Sequence, residues 1–406
     1  MALLQVAEAQ QLVLQHSHRL PAETALLSPA VLGRVLAEDI ASDIDSPPFD
    51  KSMVDGYAVR SEDVAEGIGT FRIVQGILAG QMPARPVGWG EVASIMTGAP
   101  LPVGADAVVM HEHTRFNSDQ MSLMHPVRAR QNIMARASEM KQGETVLTSG
   151  TLLRPQELGL LATVGRTSIA VYRTPRVAIL STGDEIVEPG QPLGSSQIRN
   201  SNAGMLMALV TRAKAVPSYL GIAHDTLESI RPLIATGLKA DVLLITGGVS
   251  AGKVDLVPDV LAEAGVMPIF HKVALKPGKP LYFGTLGNTL VFGLPGNPVS
   301  GLVGFELFVR PALRKLLGRS QPFVSMTIKA KCGSEFSHKS DRPTYYPAKL
   351  NLTADGWEAH AVGWKGSGDL RSICASNGFA VLPPGEVRYS AGDLMDVLLT
   401  EFDPWS

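Results

Sequence analysis

Cysteine is nearly missing from this chain: only Cys332 and Cys374 occur, with no CxxC pair and no histidine close by at metal-ligand spacing. That scarcity argues against a zinc finger or a disulfide framework and suits a reducing compartment. An excess of one charge is lacking too, since 36 Lys and Arg face 38 Asp and Glu for a formal charge of −2. No basic run is interleaved with aromatics, so neither nucleic acid nor an anionic membrane is an expected partner. Long apolar runs are also absent. Charge, Gly or Pro interrupts each apolar stretch before transmembrane length, and Glu8 stands among glutamines where a signal peptide would be basic. A cytoplasmic protein is expected.

Glycine and proline are plentiful instead, at 40 and 28 of 406 residues, and the length predicts two to four domains. The organising stretch runs from Asp241 to Gly301, ADVLLITGGVSAGKVD…HKVALKPGKPLYFG…LVFGLPGNPVSG. Each of its three Gly/Pro turns follows an apolar run short enough to be a buried strand. In open α/β sheets, ligands collect beyond the carboxyl ends of the strands, where such turns gather. In the first turn, Gly247, Gly248 and Gly252 let backbone N–H groups approach an anion, with Ser250 between them and Asp255 three residues on. Around the second, Lys272, Ala274 and Lys276 share strand parity, so both lysines are expected on one face and Val273 and Leu275 on the other. Pro277 and Gly278 then reverse the chain and present Lys279. In the third, Pro295-Gly-Asn-Pro opens a helix with Asn297 at the N-cap and Pro298 at the first helical position. Three cations, a glycine cradle, a helix N-terminus and an acid predict a site for a phosphorylated or oxyanionic ligand.

Upstream, residues 4–16 have the spacing of a modestly amphipathic helix. Ser28-Pro29 has the form of a cap pair for a second helix through Val35 and Leu36. Asp45-Ser-Pro-Pro48 marks a crossover into an inserted, strand-rich domain reaching about residue 137. Within it, Asp55-Gly56 is a turn signal, Thr97 ends a strand, and His111 and His113 read as a half-exposed strand pair without a third metal ligand. From Pro175 the texture becomes α/β, with Ser181-Thr-Gly-Asp-Glu185 after a buried strand and Asp225-Thr-Leu-Glu228 in the form of a capping box. From Gln321 onward, short strand candidates predict a small β-barrel or sandwich.

TGGVSxGxxD…KxxxKPGKP…GLPGNPVS, in this order and spacing, resembles the MoeA family of molybdopterin molybdenumtransferases, which includes the gephyrin E domain. FDxSxxDGYA and MTGAPxPxGADAVV extend that resemblance to nearly the whole chain. It implies a discontinuous N-terminal domain (1–47 and 138–174), an inserted β-rich domain (48–137), a central doubly wound molybdopterin-binding α/β domain with a mostly parallel sheet (175–319), and a C-terminal β-barrel (320–406). Asp55 and Thr97 carry over as expected active-site residues, and Arg342 and Ser367 align with polar ligand contacts of the barrel. Where family members carry Gly-Glu-Asp, this chain has Ala137-Ser138-Glu139.

The reaction implied is insertion of molybdate into the dithiolene of adenylylated molybdopterin, with AMP released and Mg²⁺ required. Lys276, Lys279 and Ser300 suit a doubly charged oxyanion, with Arg342 and Ser367 completing its pocket. Lys272 and the metal would neutralise phosphoryl charge. Asp225, Glu185 and Asp255 are the metal candidates, since Mg²⁺ takes one or two carboxylates plus phosphate and water. Asp184 is nearer a turn-capping role. Asp55 and Thr97 complete the site across a homodimer in the family, and the molybdopterin adenylyltransferase or recipient molybdoenzymes are implied partners. Two other classes share parts of the pattern. An adenylyltransferase-type enzyme has the GGVSxGxxD turn but consists of the α/β domain alone. A non-catalytic, gephyrin-like scaffold would not need all three lysines and the acids.

Overall fold

In the strands of the middle of the chain, apolar residues occupy both parities, as strands covered on two faces require. The computed structural model, which describes residues 3–64, 69–249, 256–320 and 322–400, shows this directly. The sheet is built from β1 (Arg176–Thr182), β2 (Val216–Ala223), β3 (Val242–Thr246), β4 (Met267–Lys272), β5 (Pro280–Leu286) and β6 (Thr289–Leu294), in the order β2-β1-β3-β6-β5-β4. The pairs joining β2, β1, β3 and β6 are parallel, whereas β5 and β4 add an antiparallel edge.

Alternation along each strand feeds two core layers. Val177, Ile179, Val242, Leu244 and Phe292 enter one, and Ala178, Leu180, Leu243, Ile245 and Val291 the other. Two helices, α1 (Ser201–Arg212) and α4 (Pro298–Gly304), cover the first face. Two more, α2 (Leu227–Gly237) and α3 (Val257–Glu263), cover the second. Each fully buried Leu, Ile or Phe contributes about 1.5–3 kcal/mol, so this double layer is the main source of stability. At the strand bottoms, Asp241 accepts two hydrogen bonds from Arg173 at 2.9 and 2.7 Å and one from the Arg176 N–H at 2.7 Å. Burial pushes its pKa up, but these donors outweigh burial and hold the carboxyl below its usual range.

The C-terminal strands close into a barrel: β7 (Thr327–Cys332), β8 (Thr344–Thr353), β9 (Gly356–Ala361), β10 (Gly378–Leu382) and β11 (Leu394–Leu399), ordered β7-β9-β8-β10-β11. Tyr345, Phe379 and Leu398 leave the barrel's own core and join the first α/β layer, together with Ala9 and Val13 of the N-terminal helix Val6–His16. Barrel, sheet and that helix belong to one compact unit, Met1–Glu38, Ser149–Leu158 and Ser168–Ser406.

A second unit comprises Asp39–Thr148 and Gly159–Thr167. Its six-stranded sheet runs Ala107–Met110, Gly56–Val59, Glu91–Ile95, Thr70–Ile77, Gln120–Leu123, Thr114–Asn117. Gly56 does not supply a left-handed turn here. It sits in a strand where a Cβ would collide with the Val109 carbonyl, so glycine is required by close packing.

Four local expectations need correction. The helix expected after Ser28 is a single 3₁₀ turn, Pro29–Val31, because Val35 and Leu36 are drawn into antiparallel bridges with Leu152 and Val171. His111 to His113 forms a 3₁₀ turn rather than a strand pair. The cap of α2 is Thr226, whose hydroxyl accepts from the Ser229 N–H, and not Asp225. Strand parity stops at Lys272. Val273, Ala274 and Leu275 are all buried, because successive N–H groups turn to different partners: Val273 to the Lys279 carbonyl, Ala274 to Leu4, Lys276 to Pro343.

Candidate functional site

At the carboxyl ends of β1, β3 and β6, Ser181-Thr-Gly, Gly247-Gly248 and Pro295-Gly-Asn line a cavity of about 410 Å³, with Pro280 from the lysine turn's far side. Gly247 and Gly248 have φ of +91° and +60°. A Cβ on Gly247 would strike the Thr182 carbonyl, and one on Gly248 would stand 2.7 Å from Thr182 Oγ1. Glycine at both positions therefore lets the ends of β1 and β3 close together and leaves a floor of bare backbone. Glu185 and Asp225 line the same cavity from opposite turns. Asp184, beside Glu185, accepts from the Asp225 N–H and from His224 Nδ1, both at 3.2 Å, and ties those two turns together.

A neighbouring cavity of about 570 Å³ shares Pro280, Pro295 and Asn297 with the first. Lys276, Lys279, Ser300, Arg342 and Ser367 line it, with His338, Tyr346 and Trp364 on the barrel side. Backbone pairing brings the barrel there. The Lys276 N–H donates to Pro343 O at 2.9 Å, the Tyr345 N–H donates to Lys276 O at 2.8 Å, and the Val299 N–H donates to Ser367 O at 3.0 Å. Arg342 then braces the lysine loop by donating from Nη1 to Leu275 O at 3.2 Å. Asn297 is at the N-cap of α4 and Pro298 at its first position, yet the Asn297 side chain makes no capping bond and lines both cavities. Burial, and next the charge of Lys276, push the His338 imidazole below its usual range, so it is neutral at neutral pH.

Lys272 is exposed, pairs with Pro280 across β4 and β5, and lines neither cavity. Ser250 and Asp255 fall outside the described residues. Asp55 and Thr97 belong to the second unit and form one group. The Thr97 N–H and hydroxyl both donate to Asp55 Oδ1 at 2.7 Å, which holds that carboxyl below its ordinary range. Glu139 is engaged by Ser46, whose hydroxyl donates to its carboxylate at 2.6 Å.

Sequence reasoning missed His338, Thr182 and Asn202. The last two follow readable signals, a strand ending in Ser-Thr-Gly and an Asn-Ser-Asn at a helix start, but nothing in spacing says that these side chains turn inward. His338 lies on a strand outside the closed barrel, Phe336–Ser340, and its place beside the lysines depends on the docking of β8.

Fold and site define a multidomain enzyme whose doubly wound domain carries its cavities at the strand ends. Family models match three consecutive regions: the MoeA N-terminal region (domain I and II) over residues 4–165, a probable molybdopterin binding domain over 178–315, and the MoeA C-terminal region (domain IV) over 329–400. A molybdopterin molybdenumtransferase from Staphylococcus aureus (strain COL) is 34% identical over 403 residues, covering 98% of this chain and 96% of the relative. One from Staphylococcus epidermidis (strain ATCC 12228 / FDA PCI 1200) is 35% identical over 375 residues, covering 91% and 89%. Two crystal structures of the molybdopterin biosynthesis moeA protein from Pyrococcus horikoshii superpose with TM-scores of 0.84 and 0.83 at 32% and 31% identity. They cover 98% of this chain and 99% and 100% of their own. The chain belongs to the MoeA family of molybdopterin molybdenumtransferases, transferases of molybdenum cofactor biosynthesis. Among the described residues, no helix is long and apolar enough to cross a membrane.

Proposed function

We propose that this protein inserts molybdate into the dithiolene of adenylylated molybdopterin and releases AMP, acting in the cytoplasm as a homodimer. The observation that carries the reading is the pairing of two adjoining cavities of opposite character. One offers a glycine floor and two carboxylates, and the other gathers Lys276, Lys279 and Arg342 around the start of α4. A doubly charged tetrahedral oxyanion suits the second, where Ser300 and Ser367 add hydroxyl donors to the cations. The pterin and its phosphoanhydride suit the first, which adjoins the second through Pro280, Pro295 and Asn297.

Glu185 and Asp225 are compatible with Mg²⁺, which takes one or two carboxylates and fills its remaining positions with water and substrate phosphate. Asp255 is a third proposed ligand, outside the described residues. Among the described residues no group of three or more His, Cys, Asp or Glu side chains is arranged to hold a metal ion. When bound, the ion would neutralise charge on phosphoryl oxygens. Lys276 and Lys279 orient the oxyanion, and Asn297 stands between it and the pterin. Lys272 is proposed to act on the adenylyl side. Asp55 and Thr97 are proposed to complete the site from the partner subunit, with the adenylyltransferase supplying substrate and recipient molybdoenzymes taking the product.

The test is AMP release from adenylylated molybdopterin with and without molybdate. Release that depends on molybdate and Mg²⁺ is expected. Release that ignores molybdate, or adenylylation of free pterin by ATP instead, overturns the reading.

A further inference from the structure

Two side-chain oxygens of residues that line the first cavity, Thr182 Oγ1 and Asn202 Oδ1, are buried and have no hydrogen-bond partner among the described residues. Thr182 is 3% exposed and Asn202 8%. Buried polar atoms are normally paired, and leaving one unpaired is unfavourable. The orientation of Asn202 is fixed. Its Nδ2 donates to Thr246 Oγ1 and to Gly296 O, both at 2.7 Å, and the Thr246 hydroxyl passes its own proton to Pro295 O at 3.4 Å. Turned over, the amide would set its oxygen against the Gly296 carbonyl. Oδ1 is therefore committed as an acceptor. Asn200, two residues earlier, makes the contrast. It caps α1 by accepting from the Ala203 N–H at 3.2 Å, and its Nδ2 donates to Tyr219 OH at 2.8 Å and Ser181 Oγ at 3.0 Å. One asparagine of the motif is used up by the fold, and the other keeps its oxygen for a ligand.

Asn202 Oδ1 only accepts, so a phosphate oxygen would meet it acceptor to acceptor, whereas an N–H donor satisfies it. Thr182 Oγ1, a hydroxyl, can accept from the same donor, at the level of the glycine floor, where a flat ring can lie on Gly247 and Gly248. We propose that Thr182 and Asn202 read the exocyclic amino group of a substrate heterocycle and reject rings that lack it. This rests on the function proposed above, whose substrate carries two such groups, one on the pterin and one on the adenine.

The experiment is calorimetric titration of the full-length protein with matched probes. Pterin is compared with its analogue lacking the 2-amino group, and AMP with purine riboside 5′-monophosphate. Wild type is expected to prefer the amino-bearing member of at least one pair by about tenfold or more, as loss of one hydrogen bond to a buried partner implies. Thr182→Val nearly preserves volume and removes an unpaired hydroxyl, so its melting temperature should hold or rise while the preference collapses. Asn202→Ala should also lose the preference, and Thr182→Val reads the proposal alone should Asn202→Ala not fold. Collapse in the pterin pair assigns the site to the pterin, and collapse in the AMP pair assigns it to adenine. Equal binding within both pairs by wild type, or a preference undiminished in both variants, overturns the inference. Should that happen in an enzyme whose AMP release still depends on molybdate, the proposed function stands and only this inference falls.

Discussion

Replacing Arg342 by alanine should weaken oxyanion use without unfolding the protein, and the structure sets both magnitudes. The guanidinium has five N–H donors. One is spent on Leu275 O at 3.2 Å and another, Nε, on Asp341 Oδ1 at 3.1 Å, leaving the rest for the cavity that Arg342 lines. The Asp341 carboxylate is 79% exposed, so that ion pair is worth about 0–1 kcal/mol, and the charge-assisted bond to the Leu275 carbonyl adds about 1.5–3 kcal/mol. The melting temperature should therefore fall by only a few degrees. A lost charge-assisted contact to a bound oxyanion costs on the order of 1.5–3 kcal/mol, or roughly ten- to a hundred-fold. Titrating molybdate at fixed adenylylated molybdopterin, with AMP release as readout, should show that increase in the half-saturating concentration. Arg342→Lys should recover only part of it, because a point charge lacks the fork that both braces the loop and faces the cavity. Lys272→Ala, altering a residue outside that lining, should leave the molybdate curve in place. An unchanged half-saturation in folded Arg342→Ala, or an equal shift in Lys272→Ala, refutes the reasoning.

Gly248→Ala forces a Cβ to within 2.7 Å of Thr182 Oγ1 at φ +60° and should cost about 1–3 kcal/mol, read as a melting temperature lower by several degrees. His338 titrates below its ordinary range in the fold, so the unfolded chain takes up the proton first as pH drops. Stability should therefore decline as pH falls from about 6.5 toward the folded value, and His338→Gln should remove that component of a melting-temperature profile. The same proton adds a cation to the lysine cavity, so molybdate affinity in wild type should rise over that window and proton uptake should accompany binding in calorimetry. Freely exchanged heterodimers of Asp55→Ala and Lys276→Ala subunits should regain part of the activity; no recovery places each complete site within one subunit.

The α/β domain was legible because its signals are local. A run such as Val242-Leu-Leu-Ile-Thr followed by two glycines is a buried strand meeting a ligand turn, and Asn297-Pro298 opens its helix as the pairing predicts. What escaped the sequence was set by distant backbone. Ser28-Pro29 has the residues of a helix start, but Leu152 and Val171 claim Val35 and Leu36 as bridge partners. Alternation after Lys272 failed because Leu4 and Pro343, from opposite ends of the chain, take the Ala274 and Lys276 N–H groups. Lys276 and Lys279 were legible in the turn they flank, Arg342 and Ser367 only through family resemblance, and with Ser300 all five line one cavity. Asn202 sits in a readable Asn-Ser-Asn at a helix start, but no local signal shows that its Oδ1 is left without a partner.

Tyr345, Phe379 and Leu398 of the barrel are packed into the core of the sheet domain. A barrel rooted in that way cannot swing as a lid without opening the interior to water. It works as a fixed wall, so if the cavity takes an oxyanion as proposed, discrimination there would come from a rigid shape that rejects a poor fit on arrival. Evolution of a new anion preference in this chain would then proceed by recutting the wall, through residues such as His338, Trp364 and Ser367, with the sheet left as it is.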